Sequence, residues 1–302
     1  MTMDAVLIAG PTAAGKSAVA LALATRINGA IVNADSMQVY RELPVLSGQP
    51  SAEEMSRVPH HLYGHVPAAG AYSAGRYQHE AAVALAAVRC EGRVAIFTGG
   101  TGLYFNVLTR GLSPMPQAPA EIRIAVRQRF EAMGRENFYA ELVRRDPGSA
   151  ALRASDTHRI LRAADILEAT GRPLTAWQAI AGKPVLQSLR VARFVIARDR
   201  ELLNERINRR FEIMIEHGAL EEVRGLRGID SSLPAARMLG FPELSRHLRG
   251  ETSLSDAVAA AQLATRRFAK RQMTWFRRYM TDWRWLGTGE PGDILSSIAG
   301  EL

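Results

Sequence analysis

The chain has one cysteine in 302 residues, Cys90, which excludes an internal disulfide and a thiolate zinc cage and fits a reducing compartment. Cys90 itself reads as a small buried apolar residue. No apolar run approaches the ~20 residues that a membrane helix needs, so no membrane partner is expected. There is no internal repeat and no low-complexity tract. The first apolar run, Ala5 to Ala9, is too short for a signal peptide and leads into a glycine loop instead of a cleavage site, so a cytoplasmic location is expected. Hydrophobic residues at 47% and charged residues at 23% describe an ordinary globular chain. The 38 Lys plus Arg against 30 Asp plus Glu give a formal charge of +8, which favours an acidic partner, nucleic acid or a phosphorylated ligand.

The apolar runs Ala5–Ala9, Ala30–Ala34 and Val94–Phe97 lack polar alternation, and helical patterns lie between them at Lys16–Ile27 and Ser73–Cys90. Such alternation predicts an α/β fold with a parallel, doubly wound sheet. After Gly111 a proline-rich stretch, Ser113 to Pro119, precedes helix-period segments from about Glu121 to Gly182. Arg193–Ala197 returns to the sheet, and Arg200 to Tyr279 is almost wholly helical. The expected organisation is a core at 1–112, a helical insertion at 113–188, and core completion with basic helices at 189–302. One more helix is expected in the tail beyond Gly287.

Gly10-Pro11-Thr12-Ala13-Ala14-Gly15-Lys16-Ser17 matches G-x-x-x-x-G-K-[ST] and sits between a strand and a helix. Glycines let successive amides point into one concavity at the positive end of the helix, Lys16 adds a point charge, and the Ser17 hydroxyl can hold Mg2+. The pattern specifies a polyphosphate without saying which. In open α/β sheets ligands bind beyond the carboxyl ends of the strands. The second run ends in Asn33-Ala34-Asp35-Ser36, so Asp35 can serve as a proton acceptor in that crevice or can cap a turn. The third ends in Thr98-Gly99-Gly100-Thr101, where Thr101 can cap a helix or offer its hydroxyl to a phosphate. A P-loop kinase or ATPase would usually carry an aspartate at that strand end to organise magnesium, which counts against the alternative of an ATP-dependent small-molecule kinase. His60, His61 and His65 lie among Pro59, Gly64 and Pro67 without flanking acids or thiols, so loop hydrogen bonding is expected there in preference to metal binding. From Arg266 to Met280 basic side chains interleave with Trp275, Phe276 and Tyr279, which suits nucleic-acid phosphates or an amphipathic core helix.

In order, GPTAAGKS (10–17), IVNADSMQVYR (31–41), PHHLYGH (59–65), YSAGRY (72–77), FTGGTGLYF (97–105), GLSPMP (111–116), DTHRILRAADILEATGRPL (156–174) and KRQMTWFRR (270–278) resemble the bacterial tRNA isopentenyltransferase family, the tRNA dimethylallyltransferases. The resemblance implies a P-loop core with an RNA-binding insertion, and transfer of a dimethylallyl group from its diphosphate to the exocyclic amine of the adenosine 3′ of the anticodon. Magnesium is the implied cofactor, the tRNA anticodon arm and dimethylallyl diphosphate are the implied partners, and a monomer is expected. By motif, Thr12 to Ser17 would hold the donor diphosphate, with Lys16 and Arg210 assisting and Arg206 beside them. Asp35 would take the amine proton and Thr101 would sit at the reacting centre. Asp35, Ser36, Met37, Gln38, Thr101, Arg123, Arg159, Ile160, Leu161, Arg162, Ala163, Lys270, Arg271 and Gln272 would contact tRNA. The chain departs from the family at Leu46–Pro50, where a lysine and a threonine are lost.

Overall fold

The computed structural model describes residues 3–287, 289 and 291–301. Six strands, β1 (Ala5–Ala9), β2 (Gly29–Asn33), β3 (His60–His61), β4 (Val94–Gly99), β5 (Val191–Ile196) and β6 (Arg284–Leu286), form one sheet. Its order is β3-β2-β4-β1-β5-β6, and every pairing is parallel. All residues of β1 and β2 are buried, which is why these strands read as apolar runs: helices cover both faces of such a sheet.

The helices are α1 (Lys16–Arg26), α2 (Pro44–Ser47), α3 (Ala52–Arg57), α4 (Ala74–Cys90), α5 (Gly102–Thr109), α6 (Ala120–Arg145), α7 (Thr157–Thr170), α8 (Leu174–Gln178), α9 (Arg200–Glu216), α10 (Ala219–Gly225), α11 (Phe241–Leu248), α12 (Leu254–Tyr279) and α13 (Pro291–Ala299). None is long and apolar enough to cross a membrane, among the described residues. Cys90 ends α4 and is exposed, which corrects the expectation of a buried thiol: its helix turns Ala81, Ala84 and Val88 to the core instead.

Contacts divide the chain into two compact units, Met1–Thr109 with Val185–Leu302, and Arg110–Pro184. The expected limits of 113 and 188 shift for a local reason. Gly182 lies against the Leu112 backbone, while Val185 and Leu186 donate backbone N–H groups to the Val107 and Leu108 carbonyls.

The Arg110–Pro184 unit is built on α6, α7 and α8, with Phe138, Leu142, Ile160, Ala163, Ile166 and Leu167 in its core. Gly134, at φ +73°, interrupts α6. Glu168 accepts from Arg129 at 2.7 Å and Arg145 at 2.5 Å, and Glu141 stands 3.5 Å from Arg145. The Arg145 hydrogen bond above all, then Arg129, hold the Glu168 carboxyl down at about 2 against a normal 4.5. A depressed acid stabilises the fold above its unfolded pKa, and that contribution disappears as pH falls from 4.5 towards 2. Because the pair is partly exposed, we expect Glu168→Gln to cost about 1–2 kcal/mol at neutral pH. In urea unfolding the deficit should shrink steadily below about pH 4.

Candidate active site

Strand register brings the functional loops to one level. Ala9 pairs with Gly99 and with Val195, and Asn33 pairs with Thr98, so the chain leaves β1, β2, β4 and β5 along one edge of the sheet. Gly99 is required there: a Cβ would meet the Ala34 carbonyl at 2.1 Å. Ala34 in turn donates its N–H to Thr98 and accepts from the Thr101 N–H, which fuses the β2 and β4 ends.

The loop after β1 is held from outside by two arginines. Arg206 Nε donates to the Ala13 carbonyl at 3.0 Å, and the buried Arg198 donates Nε–H to the Ala14 carbonyl at 3.2 Å. Ala13 sits at φ +62°, a conformation that a non-glycine residue rarely adopts. Lys16 opens α1 and donates Nζ to the Pro11 carbonyl at 2.7 Å. Burial lowers its ammonium to about 8, against the pull of the Asp35 carboxylate and with the push of Arg210. Burial also lowers Arg210, which Asp35 supports and Arg206 opposes. Three cations, Lys16, Arg206 and Arg210, therefore share this corner with the carboxylates of Asp35 and Glu54.

Asp35 is fixed by its neighbours. Its N–H donates to Asn33 Oδ1 at 2.8 Å, and its Oδ1 accepts the Met37 N–H at 3.0 Å. Asn33 is fully buried and also donates Nδ2–H to the carbonyls of Asp35 and Leu62. Thr101 Oγ1 accepts the Ser36 N–H at 2.9 Å and donates to Ser36 Oγ at 3.2 Å. Asp35 thus caps its own turn, with its second oxygen facing Gly100, and Thr101 ties the two loops together.

Two cavities meet at this corner. A polar one, open to solvent, is lined by Gly15, Lys16, Ser17, Gln49, Glu54 and Arg206. A narrower apolar one has Leu46, Ile207, Phe211, Met214 and Met238 in its walls, with Thr12 and Asp35 at its edge. Ala13 and Arg210 border both. The departing segment Leu46–Pro50 lies between them: Gly48 adopts φ +65° beneath the Arg210 guanidinium, which reaches the Gly48 carbonyl at 3.4 Å.

Other expected site residues are placed less uniformly. Gln38 gives its amide to the Gly48 carbonyl at 2.6 Å and to the Ser47 carbonyl. On α12, Lys270 and Arg271 are exposed, but Gln272 is buried with both ends of its amide bonded to protein, which corrects its reading as an RNA contact. In the helical unit Arg123 and Arg159 are exposed, and Leu161 and Arg162 half-buried, whereas Ile160 and Ala163 face the core and offer RNA no side chain. Arg123, Arg127, Arg162 and His158 all act on the Asp165 carboxyl, which burial nonetheless raises. His60 Nδ1–H donates to the Val58 carbonyl and His65 pairs with Glu80, but His60 and His61 themselves form β3, which corrects the expectation that the whole histidine segment is a loop. Arg198 escaped the sequence reading although it follows β5 directly; the rule applied to the other strand ends would have found it.

A glycine-rich G-x-x-x-x-G-K-S loop at the carboxyl edge of a parallel sheet, bordered by an apolar cavity and faced by a carboxylate, defines a P-loop α/β protein. Residues 38–279 match the family model described as IPP transferase, and the chain belongs to that family. It is 52% identical to the tRNA dimethylallyltransferase of Azorhizobium caulinodans, over 99% of this chain and 96% of the relative. Among solved structures it resembles the full-length tRNA isopentenylpyrophosphate transferase of Bacillus halodurans, at TM-score 0.71 and 30% identity, covering 99% of this chain and 97% of the other. It also resembles a eukaryotic dimethylallyltransferase acting on tRNA, at TM-score 0.79 and 25% identity, covering 95% of this chain and 74% of the other.

The ammonium of Lys16 is the form that binds an anion, and it is lost as pH rises through about 8. Affinity for inorganic diphosphate, followed by calorimetry, should therefore fall above that pH, by up to about tenfold per unit. In Lys16→Ala the affinity should be lower and this component of the pH dependence absent.

Proposed function

We propose that the protein transfers a dimethylallyl group from dimethylallyl diphosphate to the exocyclic amine of the adenosine 3′-adjacent to the anticodon of tRNA. The observation that carries this reading is the junction of the polar and apolar cavities at Ala13 and Arg210, because a prenyl diphosphate is an anion with a short apolar tail. Family membership supports it, and so do the activities for which the relatives are named. An ATP-dependent kinase would use the same loop, but β4 ends in Thr98 and Gly99 instead of an acid.

On this reading the diphosphate lies against the loop, Lys16, Arg206 and Arg210, and the prenyl tail extends between Phe211, Met214 and Met238. The allylic carbon–oxygen bond breaks, and negative charge grows on the departing diphosphate where these cations already stand. The adenosine amine attacks the allylic carbon and passes its proton to Asp35 as the new carbon–nitrogen bond forms. Thr101 holds the Asp35–Ser36 turn at the reacting centre. To reach the crevice the base must leave its stack, at a cost of a few kcal/mol that contacts to the anticodon arm would offset. Arg123, Arg159 and Arg162 on the helical unit, and Lys270 and Arg271 on α12, supply cations for those contacts.

Magnesium fits the donor set. Ser17 and Glu54 line the phosphate cavity with hard oxygen atoms, and no group of three or more His, Cys, Asp or Glu is assembled among the described residues. An ion held by one or two protein oxygens and by substrate phosphates is the usual magnesium arrangement, and it would neutralise diphosphate charge.

The direct test incubates unmodified tRNA with dimethylallyl diphosphate and magnesium and measures nucleoside masses. A gain of one prenyl group on adenosine supports the reading, and phosphorylation of an acceptor by labelled ATP would overturn it. Asp35→Ala should keep tRNA affinity while single-turnover rates fall about 10²–10⁴-fold. A near-normal rate would remove Asp35 as the base.

A further inference from the structure

Gln272 lies on α12 within a basic segment, yet its side chain is only 6% exposed. Its Oε1 accepts the Thr12 N–H at 3.0 Å, and its Nε2 donates to the Gly100 carbonyl at 2.8 Å. One amide thus joins the phosphate loop after β1 to the glycine loop after β4. Gly100 shows how tight this junction is: a Cβ there would stand 2.2 Å from Gln272 Nε2 and 3.2 Å from Asp35 Oδ2. The amide and the Asp35 carboxylate approach the same backbone position. The next residue, Thr101, holds the turn that carries Asp35 and Ser36.

The two bonds also fix what the side chain must be. Thr12 offers a donor and Gly100 an acceptor, so the bridging group needs one acceptor and one donor on a planar head. Glutamine supplies both. A carboxylate supplies only the acceptor and would stand close to Asp35, whereas a protonated carboxyl again supplies both.

We propose that Gln272 is a positioning residue for prenyl transfer: its amide sets the separation between the phosphate loop and the Asp35–Thr101 side, and so governs turnover instead of tRNA affinity. The inference rests on the proposed transfer reaction. Lys270 and Arg271, two residues and one residue before it, are exposed and belong to the outer face of the same helix.

The test compares Gln272→Met and Gln272→Glu with the native protein, after melting curves confirm that each variant is folded. Gln272→Met should lose about tenfold or more in kcat at every pH, with KM for tRNA within about twofold. Gln272→Glu should show a similar loss near pH 8, and its kcat relative to the native enzyme should recover several-fold near pH 6, as protonation restores the donor to Gly100. A purely structural defect gives no recovery confined to the glutamate variant. Unchanged kcat, or weaker tRNA binding with kcat intact, would overturn the proposal. If the native protein fails to prenylate tRNA, the fault lies with the reaction assigned above, and amide hydrogen exchange still tests the bridge. Exchange at Thr12 and across residues 98–101 should then accelerate in Gln272→Met, and unchanged exchange there would refute it.

Discussion

Two backbone carbonyls, those of Ala13 and Ala14, hold the orientation on which the site depends. A peptide group points its N–H and C=O in opposite directions, so anchoring the carbonyls to Arg206 and Arg198 turns the loop's amides the other way. Ala13 adopts its left-handed conformation under that constraint, at a cost of order 1–3 kcal/mol that only an over-determined surrounding sustains. The anchors come from the end of β5 and from α9, which lie after the helical unit in the chain. The phosphate loop is therefore a local motif with a distant support, and its short sequence signature describes only half of what shapes it.

One of these anchors, Arg206, also helps load the site with positive charge. Lys16, Arg206 and Arg210 gather around one corner, and burial works against the charged forms of both Lys16 and Arg210. Asp35 offsets part of this for each of them, while Arg210 disfavours the charge on Lys16 and Arg206 that on Arg210. An anion entering here removes repulsion in addition to making new contacts, so the arrangement of charges itself contributes to its binding. Asp35 gains a dual position from this arrangement: it steadies the charges of Lys16 and Arg210 and stands at the edge of the apolar cavity.

How much of this the sequence disclosed follows from how local each signal is. The strands, the glycine loop, Asp35 and Thr101 are encoded within a few residues each: an apolar run, then the residues that must emerge at its carboxyl end. Gln272 and Arg198 were not legible as loop supports because their partners lie across the fold. In DTHRILRAADILEATGRPL and KRQMTWFRR a motif was read as a block, although a helix turns about 100° per residue and splits it between inside and outside. The spacing of Ile160, Ala163, Ile166 and Leu167 marks a core stripe, and Ala269, Gln272 and Phe276 mark another. The apolar cavity left no signal, because Leu46, Phe211, Met214 and Met238 come from three separate segments and look like any core residues.

That cavity separates this loop from the many others with the same pattern. When a phosphoryl group is transferred, the bond that breaks lies among the phosphates, and the cations and metal around them suffice. When an allylic carbon leaves its diphosphate, positive charge develops on carbon just outside the cradle, and water there would compete with the amine for it. A wall of methionine, phenylalanine and leucine side chains excludes water without supplying a nucleophile of its own, and soft methionine sulfur accommodates an irregular apolar group. On the proposed reaction the electrostatic half of the site would stabilise the group that leaves and the apolar half would shield the group that is transferred, and Arg210 borders both.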